Sequence, residues 1–296
     1  MISVSQSIWN ERCVLCEVKD RVLQLYNTIN FKNDLYPYQW CQLIAVTLEF
    51  KPNLIIELGR GGGNSTCAFL LAGSKISPLP RITSVCLSTI WRKHTFPKIR
   101  HIISQQEVAL LDIHEANILT FEFEKIISDA RRILVFWDAH GFDVAACVLG
   151  KIMPLLQSKQ HIVIMHDLSD NRYLPSDKRE YRGNSLWKGN NNEGQRVWLG
   201  NIDSAVEQAV AIVDFTSRNK IELHSATHEL HEMLGHDEEK KRVLTELIGS
   251  DLFSLQAHWF WFSLNEAKLS LTFPTYVVPK NNNIFKSFLY RFFPKK

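Results

Sequence analysis

The sequence has little of what would identify several large classes of protein. No stretch approaches the roughly 18 uninterrupted apolar residues of a membrane-spanning helix, and residues 1–17 lack the basic-then-apolar order of a signal peptide. No Gly-Lys-Ser or Gly-Lys-Thr follows a glycine cluster, which excludes a P-loop. Because 45% of the 296 residues are hydrophobic and 22% are charged, we expect a globular, cytoplasmic protein built around one large domain.

The cysteines are too sparsely arranged to indicate a disulfide framework or a zinc site. Of the six cysteines, only Cys13 and Cys16 form a C-x-x-C pair, and no second pair completes a zinc site. The pair falls in a predicted amphipathic helix rather than in the strand-to-helix turn of a thiol redox protein. We therefore expect all six to be reduced thiols, most of them buried.

Positive charge is concentrated at the C-terminal end. The net charge is +3, but the six basic residues after Glu266 have no acidic counterpart, so the rest of the chain carries 28 basic and 31 acidic residues. A nucleic-acid partner is not expected, because such a partner requires positive charge over a folded face. The tail, residues 281–296, mixes basic and aromatic residues. It is expected to contact a membrane surface, to contact a second subunit in a homo-oligomer, or to pack on its own domain.

Apolar spacing predicts an α/β protein. Helical spacing over residues 6–29 and 38–50 indicates an N-terminal helical cap, residues 1–53. Residues 54–280 then form the main domain, in which short apolar runs alternate with helical segments. The predicted strands are 54–58, 81–87, 100–104, 133–137 and 161–165, with 258–263 and 269–273 as a closing pair. This alternation predicts a mostly parallel sheet with helices on both faces.

Residues 168–201 interrupt this alternation. The segment is rich in Asn, Gly, Arg and Lys, contains scattered tyrosines and tryptophans, and has no apolar periodicity. A polar insertion of this length is typical of an active-site lid or of a disordered segment. As a lid, it would exclude water and set substrate specificity.

A glycine cluster between a predicted strand and a predicted helix is the strongest functional signal. The segment 57–66 reads Glu-Leu-Gly-Arg-Gly-Gly-Gly-Asn-Ser-Thr. Glycines there permit a tight turn and close approach of a ligand to bare backbone, and the following helix offers free N–H groups. The pattern favours a nucleotide-like ligand over a turn without a ligand. An NAD-dependent oxidoreductase is disfavoured, because Asn64 occupies the last glycine place of G-x-G-x-x-G.

Acidic and histidine residues follow two further predicted strands. Asp138 and His140 come after strand 133–137, and His166 and Asp167 come after strand 161–165. Since the carboxyl ends of parallel strands meet at one sheet edge, these groups are expected to gather near the glycine turn. They could hold a hard divalent ion or supply a general base. Alternatively, the carboxylates cap loops and the histidines are ordinary buried polar residues.

These motifs together resemble those of the class I methyltransferases, which bind S-adenosylmethionine (SAM). The order and spacing of residues 54–167, a little over a third of the chain, are most similar to the branch of macrocin O-methyltransferases and cephalosporin hydroxylase-like proteins. The resemblance implies a Rossmann-like fold and a SAM-dependent O-methyltransferase acting on a small hydroxylated molecule. A sugar, a phenol and a polyketide all remain open as acceptors.

The resemblance also assigns roles to individual residues. The residues expected to contact the cofactor are Glu57, Gly59, Gly61, Gly63, Ser65, Ser88 and Asp138. In related metal-dependent enzymes, carboxylates at the positions of Asp138 and Asp167 bind Mg²⁺. His140 is the expected catalytic base, with His166 as the second candidate. Adenine would lie near residues 104–106.

The sequence departs from the family pattern in two places. The first concerns the metal-ligand or base role of Asp138 and His140, and the second supports an alternative function. The family more often has Asp-x-x-His, whereas here Asp138 and His140 are separated by a single residue. The second strand should end in a carboxylate that holds the cofactor ribose, but this place falls on Cys86 or Ser88. The alternative is a non-catalytic, methyltransferase-like binding or assembly protein.

A second histidine cluster lies near the C-terminal end of the domain. It comprises His224, His228, His231 and His236. The sequence His-Glu-Leu-His is one residue too short for the H-E-x-x-H motif of zinc proteases. His224 and His228 could share a helical face and bind a metal, but a solvated helix with several histidines is favoured.

Overall fold

The computed structural model describes residues 2–31, 34–166, 204–267 and 270–278. Three sequence predictions fall outside this part of the chain. They are the lid at 168–201, the metal ligand Asp167 and the tail at 281–296. Within the described ranges, no helix is long and apolar enough to cross a membrane.

A seven-stranded sheet forms the centre of the protein. Its strands are β1 (Leu54–Leu58), β2 (Arg81–Cys86), β3 (Leu111–Glu115), β4 (Arg132–Trp137), β5 (Gln160–His166), β6 (His224–Ser225) and β7 (Trp259–Phe262). Their order is β3-β2-β1-β4-β5-β7-β6. The first five are parallel, whereas β7 runs antiparallel to β5 and β6. The predicted Rossmann-like α/β class, with antiparallel closing strands, is confirmed.

Helices cover both faces of the sheet. They are α1 (Val4–Asn10), α2 (Arg12–Ile29), α3 (Pro37–Phe50), α4 (Asn64–Gly73), α5 (Phe96–Ile99), α6 (Gln105–Val108), α7 (Phe123–Ile127), α8 (Phe142–Cys147), α9 (Met153–Leu156), α10 (Ser204–Arg218), α11 (Ala226–Leu234) and α12 (Glu238–Ile248). Two π-helical segments, Trp91–Thr95 and Val148–Ile152, lead into α5 and α9, and a 3₁₀ turn spans Leu264–Glu266.

The alternation of side chains along the strands divides the core into two clusters. Ile55, Leu134 and Ile164 face the cluster formed with α1 to α5, α11 and α12. Ile56 and Val135 face the second cluster, which includes α7 to α10. Because successive strand residues point to opposite faces, a strand buried on both sides is apolar throughout, as β1 and β4 largely are. The predicted N-terminal cap thus covers one face of the sheet.

The third strand is not where the sequence analysis placed it. Residues 100–104 form the turn that follows α5, where the Ile102 and Ile103 amides both donate to the carbonyl of Ile99. The strand is Leu111–Glu115, which reads Leu-Asp-Ile-His-Glu. It lies at the sheet edge and is only partly buried, so polar residues alternate with apolar ones. A search for continuous apolar runs therefore missed it.

The predicted closing pair was wrong in its second member. Residues 270–273 form no strand, and β7 pairs instead with β6. The side chain of Asn219, at the end of α10, binds the backbone N–H and C=O of Thr272, at 2.7 and 2.9 Å. Phe273 packs against Phe215 of the same helix, with ring centroids 6.0 Å apart. Helix packing, not strand pairing, explains the apolar alternation there.

Candidate cofactor and acceptor site

The candidate site lies where the strand order reverses. From β1 the chain proceeds to β2 and β3 on one side, and it then returns to β4 on the other side. In open α/β sheets, such a reversal leaves a crevice at the carboxyl ends of the strands, where ligands bind. The glycine turn follows β1, Asp138 and His140 follow β4, and His166 ends β5. The structure thus brings the predicted motifs to one edge.

The glycines of the turn serve different purposes. A side chain at Gly59 would lie 2.5 Å from the carbonyl oxygen of Asp138, and one at Gly63 would lie 2.5 Å from the Trp91 ring. These two glycines therefore allow close packing of the protein against itself. Within the described part of the chain, the sole atom within 4 Å of a side chain added at Gly61 is a carboxylate oxygen of Asp34, at 3.8 Å. Gly61 is consequently the predicted glycine contact whose position leaves most room for a ligand.

Glu57 and Ser65 lie beneath the turn and are bonded to each other. Both are buried, and the Ser65 hydroxyl donates to Glu57 Oε1 at 2.6 Å. The hydroxyls of Thr66 and Ser84 also donate to this carboxylate. Burial raises the pKa of Glu57, and the hydroxyl hydrogen bonds and the charge of Arg60 oppose this effect. Contact of Glu57 and Ser65 with a cofactor stays a prediction. In the structure, their hydrogen bond connects β1 to the start of α4 and so stabilises the glycine turn between them.

Arg60, between two glycines of the turn, is a buried cation that the sequence analysis passed over. It is 1% exposed, and its Nη1 donates to the carbonyl and hydroxyl oxygens of Ser84 at 3.2 and 2.8 Å. Its Nε and Nη2 are buried and have no hydrogen-bond partner among the described residues. Ser84 therefore bridges the guanidinium to the Glu57 carboxylate. Arg60 could have been identified from the sequence, because it is a charged residue within a run of glycines.

The end of β2 offers no carboxylate for a ribose, in agreement with the sequence. The Ser88 hydroxyl accepts a hydrogen bond from the Ile90 amide at 3.1 Å. The nearest carboxylate across the strand register is that of Glu115, which is paired with Cys86 at the end of β3. Arg92 binds Glu115 through two hydrogen bonds of 2.9 and 3.0 Å, and these bonds lower the pKa of Glu115. Glu115 was missed because the third strand was misplaced.

Residues 104–106 lie near the starts of the parallel strands, at the opposite end from the glycine turn. They immediately precede β3, whose start is aligned with the starts of β1 and β2. A group at the starts of parallel strands cannot share a crevice with groups at their ends. Glu107 of the same turn is bound by Arg21 through two bonds of 2.7 and 3.0 Å, and its role is structural.

Asp138, His140 and His166 form a compact cluster. Asp138 Oδ1 lies 3.2 Å from His166 Nδ1 and 3.8 Å from His140 Nε2. The side chain of His140 is 20% exposed, that of Asp138 is 11% exposed and that of His166 is 4% exposed. His140 is therefore the member of the cluster most open to an acceptor molecule. The catalytic roles predicted for the two histidines stay predictions.

Asp34, from the loop between α2 and α3, lies beside this cluster and was not predicted from the sequence. Its Oδ2 accepts a hydrogen bond of 3.1 Å from Asn64 Nδ2, at the start of α4. Burial and then the negative charge of Asp138 raise the pKa of Asp34 to about 7, whereas the hydrogen bond from Asn64 acts in the opposite direction. No local pattern marks this residue, because only the folding of α2 and α3 over the sheet brings it here.

Three aromatic residues lie within a few positions of Asp34 in the same N-terminal segment. The rings of Tyr36 and Tyr38 stack in parallel with centroids 5.5 Å apart, and Tyr36 is 49% exposed. Phe31 covers Gly62, since a side chain added there would lie 2.6 Å from its ring. The sequence analysis looked for substrate-binding aromatics in 168–201 and did not consider this segment.

The described residues do not by themselves form a metal site. Among them, no group of three or more His, Cys, Asp or Glu side chains could hold a metal ion. Of the two predicted magnesium ligands, Asp138 is among the described residues and Asp167 is not. The histidines of the second cluster lie on different secondary-structure elements. His224 lies in β6 and stacks on Trp261 at 4.0 Å, whereas His228 is on α11, so the idea of a shared helical face was wrong.

Comparisons with known proteins give only distant likenesses. No family model matches the chain, and no curated protein does. Among solved structures, the chain is similar to the O-methyltransferase TomG from Streptomyces achromogenes, which is involved in tomaymycin synthesis and was solved with SAM. The identity is 12%, the match covers 70% of this chain and 81% of that chain, and the TM-score is 0.45.

Two further structures are similar to the same degree. One is the Bacillus cereus O-methyltransferase in complex with SAH, with 13% identity, coverage of 70% of this chain and 82% of that chain, and a TM-score of 0.43. The other is the Podospora anserina methyltransferase PaMTH1 bound to SAH, with 12% identity, coverage of 71% and 81%, and a TM-score of 0.44. At these values, the likeness does not transfer an activity to this chain.

Proposed function

We propose that this protein is a SAM-dependent O-methyltransferase that acts on a small hydroxylated molecule. The observation that carries the proposal is the position of Gly61. It lies in the turn where the strand order reverses, its backbone is open to approach, and the cluster of Asp138, His140 and His166 lies at the same ends of the strands. Backbone that is open to approach thus adjoins groups that can accept a proton. The sequence resemblance to class I methyltransferases supports the same conclusion.

The turn fits the amino-acid part of SAM better than its ribose. At Gly61 the backbone is open, and the first N–H groups of α4 have no partner within the helix, so a carboxylate is favoured there. Neither Cys86 nor Ser88 supplies the ribose carboxylate. When bound, the cofactor supplies a methyl group whose bond to sulfur breaks, leaving the electron pair on sulfur, as its bond to the acceptor oxygen forms.

The residues of the chain then have to orient the acceptor and remove its proton. Asp138 and His140 follow β4, the strand beside β1 and its glycine turn, and we assign removal of the hydroxyl proton to them because both can accept a proton. Tyr36, which is exposed and stacks on the half-buried Tyr38, offers a flat surface on which an acceptor can rest. Exclusion of water is assigned to the segment 168–201, as the sequence predicts.

Magnesium assistance is a secondary part of the proposal. The ion would be held by Asp138 and Asp167, and when bound it would lower the pKa of an acceptor hydroxyl. The described residues alone do not make such a site. Proton removal by Asp138 or His140 does not depend on it.

Calorimetric titration with SAM, together with transfer of labelled methyl groups to a phenol, a catechol and a hexose, tests the proposal. We expect binding in the wild type and none in Gly61→Val. Gly249→Val is the matched control, because Gly249 also has positive φ, +95° against +51° at Gly61, but has no atom within 4 Å of an added side chain. No binding at millimolar SAM would refute the proposal, as would equal affinity in the two variants.

A second function is favoured by three observations on the carboxylates around β2. Glu57 is enclosed by hydroxyls, Glu115 is occupied by Arg92, and β2 ends without a carboxylate. A methyltransferase-like protein that binds or assembles without catalysis would have this pattern. SAM binding with no transfer to any acceptor, or no SAM binding at all, would favour it.

A further inference from the structure

Gln39 links the N-terminal helices to the Asp138 cluster. It lies in the first turn of α3 and is 1% exposed. Its Oε1 accepts a hydrogen bond from the Tyr36 amide at 2.8 Å. Its Nε2 donates to the carbonyl of Ala257 at 2.6 Å and lies 3.1 Å from His166 Nε2. One buried amide thus contacts three groups from separate segments.

Backbone groups decide which way this amide points. A peptide N–H can only donate and a peptide carbonyl can only accept. Turning the Gln39 amide over would set its oxygen against the Ala257 carbonyl and its NH₂ against the Tyr36 N–H. Both hydrogen bonds would be lost inside the protein, at a high cost. The NH₂ group therefore faces Ala257, and its second N–H is the one near His166.

This orientation determines where His166 carries its proton. A donor facing His166 Nε2 requires that nitrogen to accept, so it is unprotonated, and the ring hydrogen is on Nδ1. Nδ1 lies 3.2 Å from Asp138 Oδ1 and can donate to it. The hydrogen bonds therefore run in one direction, from Gln39 to His166 and from His166 to Asp138.

We propose that Gln39 is a positioning residue that holds His166 in the Nδ1–H form, so that His166 orients the Asp138 carboxylate instead of removing the acceptor's proton itself. Both ring nitrogens of His166 are engaged, whereas Asp138 retains acceptor capacity for the hydroxyl proton. This inference depends on the proposed function for its catalytic meaning. The role that the sequence analysis gave to His166 as a base passes to Asp138 and its neighbour His140.

A matched pair of variants separates positioning from stability. Gln39→Met removes both donors at similar volume. Gln42→Met is the control, because Gln42 is also a 1% exposed residue of α3 that holds the same loop. Gln42 donates to the Gln256 carbonyl at 2.8 Å and accepts from Trp259 Nε1 at 3.0 Å, both away from the cluster.

The main measurement is the ¹⁵N NMR signature of the ring of His166, assigned by comparison with His166→Asn. We expect the hydrogen on Nδ1 in the wild type and in Gln42→Met, and loss of this signature in Gln39→Met. Turnover of the acceptor found in the screen above should fall about 10- to 100-fold in Gln39→Met, as is typical for loss of an outer hydrogen-bond partner, with SAM affinity unchanged.

Two results would overturn the proposal. One is a hydrogen on Nε2 of His166 in the wild type, which decides the question even if Gln39→Met fails to fold. The other is the same NMR signature in Gln39→Met as in Gln42→Met. Absence of SAM binding in the wild type would refute the proposed function but would leave this assignment of the proton standing.

Discussion

Removing the charge of Asp34 should stabilise the protein increasingly as the pH rises. Burial and the charge of Asp138 raise the pKa of Asp34 from an ordinary 3.8 to about 7. The folded protein therefore holds this proton more tightly than the unfolded chain does. The resulting stability is complete below the unfolded pKa and is lost as the pH rises toward the folded pKa. Asp34→Asn has no proton to lose and avoids this penalty.

The size of the effect follows from the two pKa values. Each pKa unit corresponds to about 1.4 kcal/mol, so the penalty above about pH 7 is at most about 4 kcal/mol. At about pH 5 the penalty is only about 1.6 kcal/mol, because the folded carboxyl is still protonated. The advantage of Asp34→Asn over the wild type should thus grow by up to about 3 kcal/mol between pH 5 and pH 8.

Urea unfolding followed by tryptophan fluorescence, at several pH values between 5 and 8, measures this difference. Asp20→Asn is the control, since it makes the same substitution at an exposed position of α2. A pH-independent difference for Asp34→Asn would show that Asp34 is not buried beside Asp138. Lower stability of the variant at pH 8 would refute the reasoning altogether.

Three further predictions concern the glycine turn and the metal. Gly63→Ala should lower the free energy of unfolding by about 1–3 kcal/mol in urea titrations, because its side chain would lie 2.5 Å from the Trp91 ring; an unchanged value would contradict this. Arg60→Met should lower the free energy of unfolding by about 1–3 kcal/mol in the same assay, because the buried oxygens of Ser84 lose their donor; a neutral effect would show that the cation is dispensable. Asp167→Asn should weaken Mg²⁺ binding more than SAM binding in calorimetry, and full methyl transfer in excess chelator would exclude the magnesium.

The sequence alone determined the central part of the fold and the location of the site. The strands Leu54–Leu58, Arg132–Trp137 and Gln160–His166 were predicted closely, because strands buried on both faces are apolar throughout. Parallel strands joined by helices place their carboxyl ends at one edge. For this reason, the glycine turn and Asp138 could be expected together without knowledge of the tertiary structure.

Tertiary structure decided the edges of the sheet and the partners of each polar group. Leu111–Glu115 and His224–Ser225 are an edge strand and a two-residue strand, which carry little apolar signal because one side of each faces no further strand. Asp34 and Gln39 reach the site only because α2 and α3 fold over the sheet, at a sequence distance of about a hundred residues from Asp138. The direction of the hydrogen bonds through His166 depends on two backbone groups, and no local pattern in the sequence encodes such a contact.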